Sequence, residues 1–387
     1  MNALKTIKQS DFLRNRRYEA FVFLILFFGF FGYLGHVMGT TNLLNTIMNT
    51  AWDLLMNTVF FILGITVLSG ALGKLMIEFG VVRLLEIFLA PLMKPVFKLP
   101  GVASLAALMT FFSDNPAIIS LSNDKNFNKY FRKYELISLT NFGTAFGMGL
   151  IVLTFMSSFG YFSSAMIGFL GAIIGAVVST RLMQKMIKNQ FPIEEKLEIE
   201  EDPSSISFKS KGGVFLRFLN SILDGGKSGV DLGLQIIPGV LIISTVIMII
   251  TFGPHNPSVG YQGLAYEGVP VLPKIAGWFS WIFDGLFGFE KPELVAFPIT
   301  SLGAVGAALS LVKEFINQGI ITGNEIAVFT AMGMCWSGYL STHTAMLDTL
   351  NYRKLTSKAL ISHTIGGIVA GTVAHYIYVL LNIWFNI

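Results

Sequence analysis

Apolar residues run in long blocks along this chain, separated by short polar stretches. Blocks at Phe21 to Met38, 53–79, 134–158, 161–187, 230–252, 326–348 and 360–386 each approach the roughly 20 residues that a helix needs to cross a bilayer core. Two further apolar stretches are too short or too proline-broken to cross, the LLEIFLAPLMKPVFK segment after Arg83 and the aromatic segment Ile275 to Phe289. Each leads into a run that is interrupted. In the first, Leu105 to Leu121, the residues Ser113, Asp114, Asn115 and Pro116 fall in the middle. Asn before Pro is a helix-start signal, with Asn115 able to cap and Pro116 suited to the first turn. In the second, Glu293 to Val312, the interruption is expected at Pro298, Thr300 and Ser301. A stretch that cannot span, followed by a broken run, predicts a hairpin that enters the membrane and returns. Broken backbone at that depth survives only where protein buries it or a watery cavity meets it, because an unpaired peptide group in lipid costs several kcal/mol.

The two halves match at an offset of 190 residues. Thr110 falls on Thr300, Glu135 on Glu325, Thr140 on Thr330, Gly143 on Gly333, Leu150 on Leu340, Thr154 on Thr344 and Met156 on Met346. The order of elements repeats as well: span, short hairpin, interrupted run, span, span. The pattern predicts an all-α polytopic membrane protein with two inverted-topology repeats, re-entrant hairpins and discontinuous helices, crossing seven or eight times. Its expected parts are an N-terminal span and lead-in (1–51), a first repeat (52–188), an acidic linker (189–213) and a second repeat (214–387). Residues 215–229 read as an interfacial helix ahead of the span at 230–252.

Composition agrees with this pattern. Of 387 residues 53% are hydrophobic and 13% charged, with mean hydropathy +0.65, about half the charge fraction of a soluble protein. The lipid bilayer is therefore the expected environment, and no length remains for a large soluble domain. The net charge of +4 does not point to nucleic acid, since the basic residues flank apolar runs where orientation demands them. With the N-terminus inside, 24 of the 27 Lys and Arg residues fall on one side and three, Lys274, Lys291 and Lys313, on the other. That places the chain in the cell inner (cytoplasmic) membrane with the N-terminus and the linker cytoplasmic. The first run reads as a span and not a signal peptide, being long, Phe-rich and without a small-x-small cleavage site. The lone Cys335 excludes an internal disulfide framework and a cysteine metal cluster.

The units Gly101 to Leu150 and Lys291 to Leu340 each hold an apolar run with a Ser/Thr-containing break, a short polar turn, Glu135 or Glu325, and a glycine-rich span. In this they resemble the Gate, or nucleoside-recognition, domain. That domain is shared by spore-maturation membrane proteins, the ferrous iron transporter core and, distantly, concentrative nucleoside transporters. The resemblance covers most of 52–387 in two copies. It implies hairpins and broken helices meeting at a central site.

Ser113, Asp114 and Asn115 are the first candidate site residues. A helix start carries about half a positive charge and free amides, suited to a polar or anionic group. A carboxylate shielded from water at membrane depth is expensive and functional by default, so Asp114 is assigned to H⁺ or Na⁺ coupling; the plainer role is a helix cap or a lysine partner. A second set lies on the span at 326–348. Ser337, Ser341, Thr344 and Asp348, spaced by four, three and four, share one helix face, with Thr342 and His343 beside it. Such a stripe suits a solute path, although interhelical hydrogen bonds of about 0.6–2 kcal/mol explain it equally. His343 and Asp348 join Asp114 as ion-coupling candidates. Asn141 and Thr144, among Gly143, Gly147 and Gly149, form the matching set in the first half, and Thr300 and Ser301 are assigned to substrate contact at the second break. Glu135 and Glu325 suit helix starts.

Other chemistry is weak. His363 and His375 would lie about 18 Å apart along a helix and about 120° around it, so they cannot share an ion, and no metal or cofactor is expected. Gly226-Lys227-Ser228 lacks the glycine of a phosphate loop, because Ser221 occupies that position. These readings point to a secondary transporter or permease for a small polar or anionic solute, nucleoside-like solutes included, with H⁺ or Na⁺ symport through Asp114, and not to an enzyme. The alternative is a non-transporting membrane scaffold that needs partner chains, of the spore-maturation type. An intramembrane hydrolase would need Ser341 or Ser337 in contact with His343. The short hairpins could serve a homodimer contact.

Overall fold

In lipid, backbone groups find partners only in other backbone groups, so a chain of this composition folds as helices. The computed structural model describes residues 2–191 and 212–385, which are almost entirely helical and hold no strand. The acidic run expected in the linker, Glu194 to Asp202, lies outside the described residues.

In the first half α1 (Asn2–Met38) turns at Gly39 into α2 (Thr40–Asp53), which runs through a π-helical turn (Leu54–Val59) into α3 (Phe60–Glu78). After α4 (Val81–Leu92) come the half-length helices α5 (Ala103–Phe112) and α6 (Pro116–Asn123) and the short α7 (Lys125–Asn128). Then α8 (Lys133–Thr144) and α9 (Gly149–Ser158) form one span in two pieces, followed by α10 (Phe162–Ile187). The second half repeats this order. α11 (Val214–Gln235) passes through a π-helical turn (Gly239–Ser244) into α12 (Thr245–Thr251). The helices α13 (Val271–Gly277) and α14 (Ser280–Phe287) precede the half-length pair α15 (Ala296–Gly303) and α16 (Val305–Asn317). The divided span α17 (Gly323–Cys335) and α18 (Tyr339–Thr349) and the long α19 (Thr356–Phe385) complete the chain.

Six helices among the described residues are long and apolar enough to cross a membrane, where seven or eight crossings are expected. The seventh, α17 with α18, is divided and carries the polar stripe. Residues 215–229 are not a separate interfacial element, because Val214–Thr251 is one helical stretch of 38 residues. Its glycines serve contact, not interruption. A Cβ on Gly70 of α3 would lie 2.5 Å from the Gly225 carbonyl oxygen, so the two backbones touch. The Thr66 hydroxyl donates to the Gly229 carbonyl at 2.8 Å, and Arg217 pairs with Glu78 at 2.7 Å where α11 begins. A second tight body joins α10, α17 and α19, where Gly175 approaches the Gly366 carbonyl.

Glu135 and Glu325 act as capping acids. Glu135 Oε2 accepts the Arg132 backbone N–H at 2.9 Å, and Glu325 Oε2 accepts the Thr322 N–H at 2.6 Å, each satisfying a donor that the first turn leaves free. The polar loop at 252–270 is tied down. The wholly buried Glu267 accepts backbone N–H groups from Gln262, Gly263 and Leu264 through one oxygen, and Asn49 donates to the Gly263 carbonyl at 2.8 Å. The Tyr266 hydroxyl donates to Asp53 on α2. Burial and the adjoining Asp53 carboxylate push this phenol above its ordinary range, so it stays a donor at any physiological pH.

Candidate functional site

The site begins where α5 cannot continue. Pro116 has no N–H and its ring would clash with an earlier carbonyl, so the helix stops at Phe112 and restarts at Pro116. Asn115 occupies the capping position but makes no capping bond with its side chain. Instead its Nδ2 donates to the Ser337 hydroxyl at 3.1 Å, across 222 positions of sequence. Ser337 lies between α17 and α18, so this bond joins the first helix break to the divided span of the second half. A Cβ on Gly147 would overlap the Asn115 amide, and one on Gly338 would lie 2.6 Å from its nitrogen. Asn115, only 6% exposed, is thus clasped between the two divided spans, and its Oδ1 has no partner.

Asp114 stands beside it. Its carboxylate Oδ1 is buried with no hydrogen-bond partner. Two cavities of about 320 Å³ each meet at this residue and share Asp114, Pro116, Leu232 and Gln235. The first extends to Thr66, Lys74, Ser113, Ser228 and Asp231. The second extends to Asn115, Ala304, Ser337, Ser341 and Thr342.

The expected residues divide into those at this junction and those away from it. Ser113, Asp114, Asn115, Ser337, Ser341 and Thr342 line the cavities. The remaining candidates line neither cavity. Thr144 donates to the Thr140 carbonyl at 2.5 Å, Thr300 to Ala296 at 2.6 Å and Ser301 to Phe297 at 3.0 Å, all buried within their own helices. Thr344 does the same to Leu340 at 2.7 Å, and Asp348 is exposed and meets Arg353 at 3.5 Å. The second break lies at Ala304, not at 298–301.

Asn141 and His343 belong to a separate buried network. Asn141 Nδ2 donates to the Ser179 hydroxyl at 2.9 Å and the Ser362 hydroxyl at 2.8 Å. His363 bonds the Cys335 carbonyl through Nε2 and meets Ser179 through Nδ1 at 2.9 Å. A carbonyl only accepts, so Nε2 carries the proton and Nδ1 accepts from Ser179. His343 donates from Nδ1 to the Tyr339 carbonyl at 2.5 Å, and its ring lies 4.5 Å from that of His363. Its Nε2 is buried without a partner, and so touches neither Ser337 nor Ser341. His375 sits elsewhere, bonded to Asn324 at 2.7 Å. Among the described residues no group of three or more His, Cys, Asp or Glu is arranged to hold a metal ion. Gly226-Lys227-Ser228 lies inside α11, with no loop.

Sequence reasoning missed Lys74, Ser228, Asp231, Gln235 and Met148. For three of them a signal exists: Ser228, Asp231 and Gln235 are spaced by three and four, one face of a helix. Met148 carries a left-handed φ of 54°, and Gly338, 190 residues on, one of 64°.

No family model matches the chain. The sporulation integral membrane protein YlbJ of Bacillus subtilis (strain 168) is 30% identical over 103 residues, which span 26% of this chain and 24% of that protein. Solved structures of CNTnw, a concentrative nucleoside transporter, are similar over almost the whole chain. An outward-facing variant aligns with TM-score 0.55 at 12% identity over 95% of this chain and 86% of that one. The inward-facing, substrate-bound structure aligns with TM-score 0.53 at 13% identity over 94% and 85%. At such identity the likeness is one of fold alone, an all-helical multi-pass membrane fold.

Proposed function

We propose that this chain is a secondary transporter for a small polar solute, built as two inverted-topology repeats at 52–188 and 214–387 and driven by H⁺ or Na⁺ through Asp114. It sits in the cytoplasmic membrane with its N-terminus and linker inside. The observation that carries the reading is the Asp114 carboxylate, one oxygen buried and unpartnered, at the meeting point of two cavities. An ionisable group at membrane depth is costly to retain without use. Discontinuous helices that meet at a polar centre between paired segments are the arrangement of transporters that work by alternating access. Ser113, Asn115, Ser337 and Ser341 contact the solute. Asn141, His343, Thr144, Thr300 and Ser301 act behind the cavity walls, holding the broken helices in place. Reconstitution in proteoliposomes tests the reading: Asp114→Asn removes the dependence of solute uptake on the ion gradient, and unchanged uptake and ion dependence would sink the coupling role.

A second reading has its own support. The 30% identity over 103 residues with a sporulation integral membrane protein supports a scaffold that assembles with partner chains. A scaffold keeps a dry centre, so water-soluble thiol reagents would not reach a cysteine placed at Ser341.

A further inference from the structure

We infer that the solute accepted by these cavities carries a protonated amine. This rests on the transporter reading and narrows it, away from the anionic end of the range that helix starts suggest. The first ground is a surplus of acceptors. Asp114 Oδ1 and Asn115 Oδ1 are both buried and accept nothing, whereas the Asn115 amide nitrogen is engaged by Ser337. A buried acceptor left unpaired is costly, so a ligand that completes this end of the site must donate. An ammonium group offers three donors and a charge opposite to Asp114.

The second ground is charge. Among the described residues, the ionisable side chains on the first cavity are Asp114, Asp231 and Lys74, and on the second Asp114 alone. Both cavities are therefore net negative and repel an anion that has no cation of its own. Asp231 gives the pair a second carboxylate, so a coupling ion and an amine can be held together. The third ground is the absence of ring faces. Among the described residues no aromatic side chain lines the second cavity, and Phe112 is the one aromatic on the first. A planar base would find nothing to stack against across the Asp114 end. Val305 and Gly306, which open α16, line the second cavity, and their free amides accommodate an acceptor group elsewhere on the solute.

The protein's single cysteine makes a direct test. Cys335 is wholly buried, so the unmodified chain serves as the unreactive blank. Ser341→Cys places a thiol on the second cavity, and the purified protein is treated with aminoethyl and sulfonatoethyl methanethiosulfonate, probes of similar size and opposite charge. The expected result is a rate ratio in favour of the cationic reagent at least about tenfold above the ratio for free cysteine. That excess is lost in Ser341→Cys/Asp114→Asn and kept in Ser341→Cys/Asp114→Glu. If both reagents react with the ratio of free cysteine, or with the anion favoured, the amine inference falls while the hydrated cavity stands. If neither reacts, the cavity is closed to water and the transporter reading falls with it.

Discussion

At the first helix break α5 stops at Phe112 and α6 starts at Pro116, with Ser113, Asp114 and Asn115 between. At the second, α15 stops at Gly303 and α16 starts at Val305, with Ala304 alone between. An offset of 190 carries Asp114 onto Ala304 and Asn115 onto Val305. The divided spans correspond in the same way, through Met148 and Gly338, which open α9 and α18 with left-handed φ values of 54° and 64°. Their support does not correspond. His363 braces the second divided span through the Cys335 carbonyl, Asn141 ties the first divided span to α10 and α19, and the positions 190 away hold Ile173 and Ala331. Backbone geometry is thus repeated while polar chemistry is gathered on one side. The first break supplies the charge and the second divided span supplies the hydroxyls that meet it.

Substitutions at paired positions sharpen this contrast. Gly338→Val has the largest expected effect, because a β-branched residue is forced into left-handed backbone and into the Thr342 hydroxyl. It should lower stability by about 3 kcal/mol or more, seen as an earlier unfolding midpoint in detergent. His363→Leu comes next. It leaves the Cys335 carbonyl and the Ser179 hydroxyl without their partner, a loss of about 2–3 kcal/mol in the same assay, and no loss would mean that the divided span needs no brace. Asn115→Ala removes the bond between the first break and the second divided span and should cost about 1 kcal/mol, with Ser337→Ala giving no further loss in the double variant if that bond is the whole coupling.

What the sequence disclosed follows from where each signal resides. The first break was legible because Asn115 and Pro116 mark a helix start by local sterics. The second was displaced, because Pro298 sits in the first turn of α15, where a missing N–H is harmless, and Thr300 and Ser301 return their hydroxyls to carbonyls four residues back. Ala304 has no side-chain signal at all. The stripe expected on one helix face is interrupted, because Ser337 falls in the turn before α18, and only Ser337 and Ser341 of it reach the cavity, since Thr344 and Asp348 lie one and two turns beyond Ser341. Asp231 and Gln235 were hidden at the start of the span expected at 230–252, and Ser228 at the end of the segment expected to be an interfacial helix. The Asn115 to Ser337 bond had no sequence signal, since nothing local relates residues 222 positions apart.

Of the three π-helical turns among the described residues, the two inside long helices, Leu54–Val59 and Gly239–Ser244, bear on how much change this architecture tolerates in chain length. A π turn holds one residue more than the α-helix it interrupts. Each long helix therefore carries a spare residue just before or after the stretch where α3 and α11 touch. Loss of one residue from 54–59 would let the turn close into regular helix and leave the phase of α3 as it was. The same deletion a turn later would swing Gly70 and Lys74 by about 100°, off the α11 backbone and out of the cavity. Length variation in this chain thus has a place where it can be absorbed, one segment away from a place where it cannot.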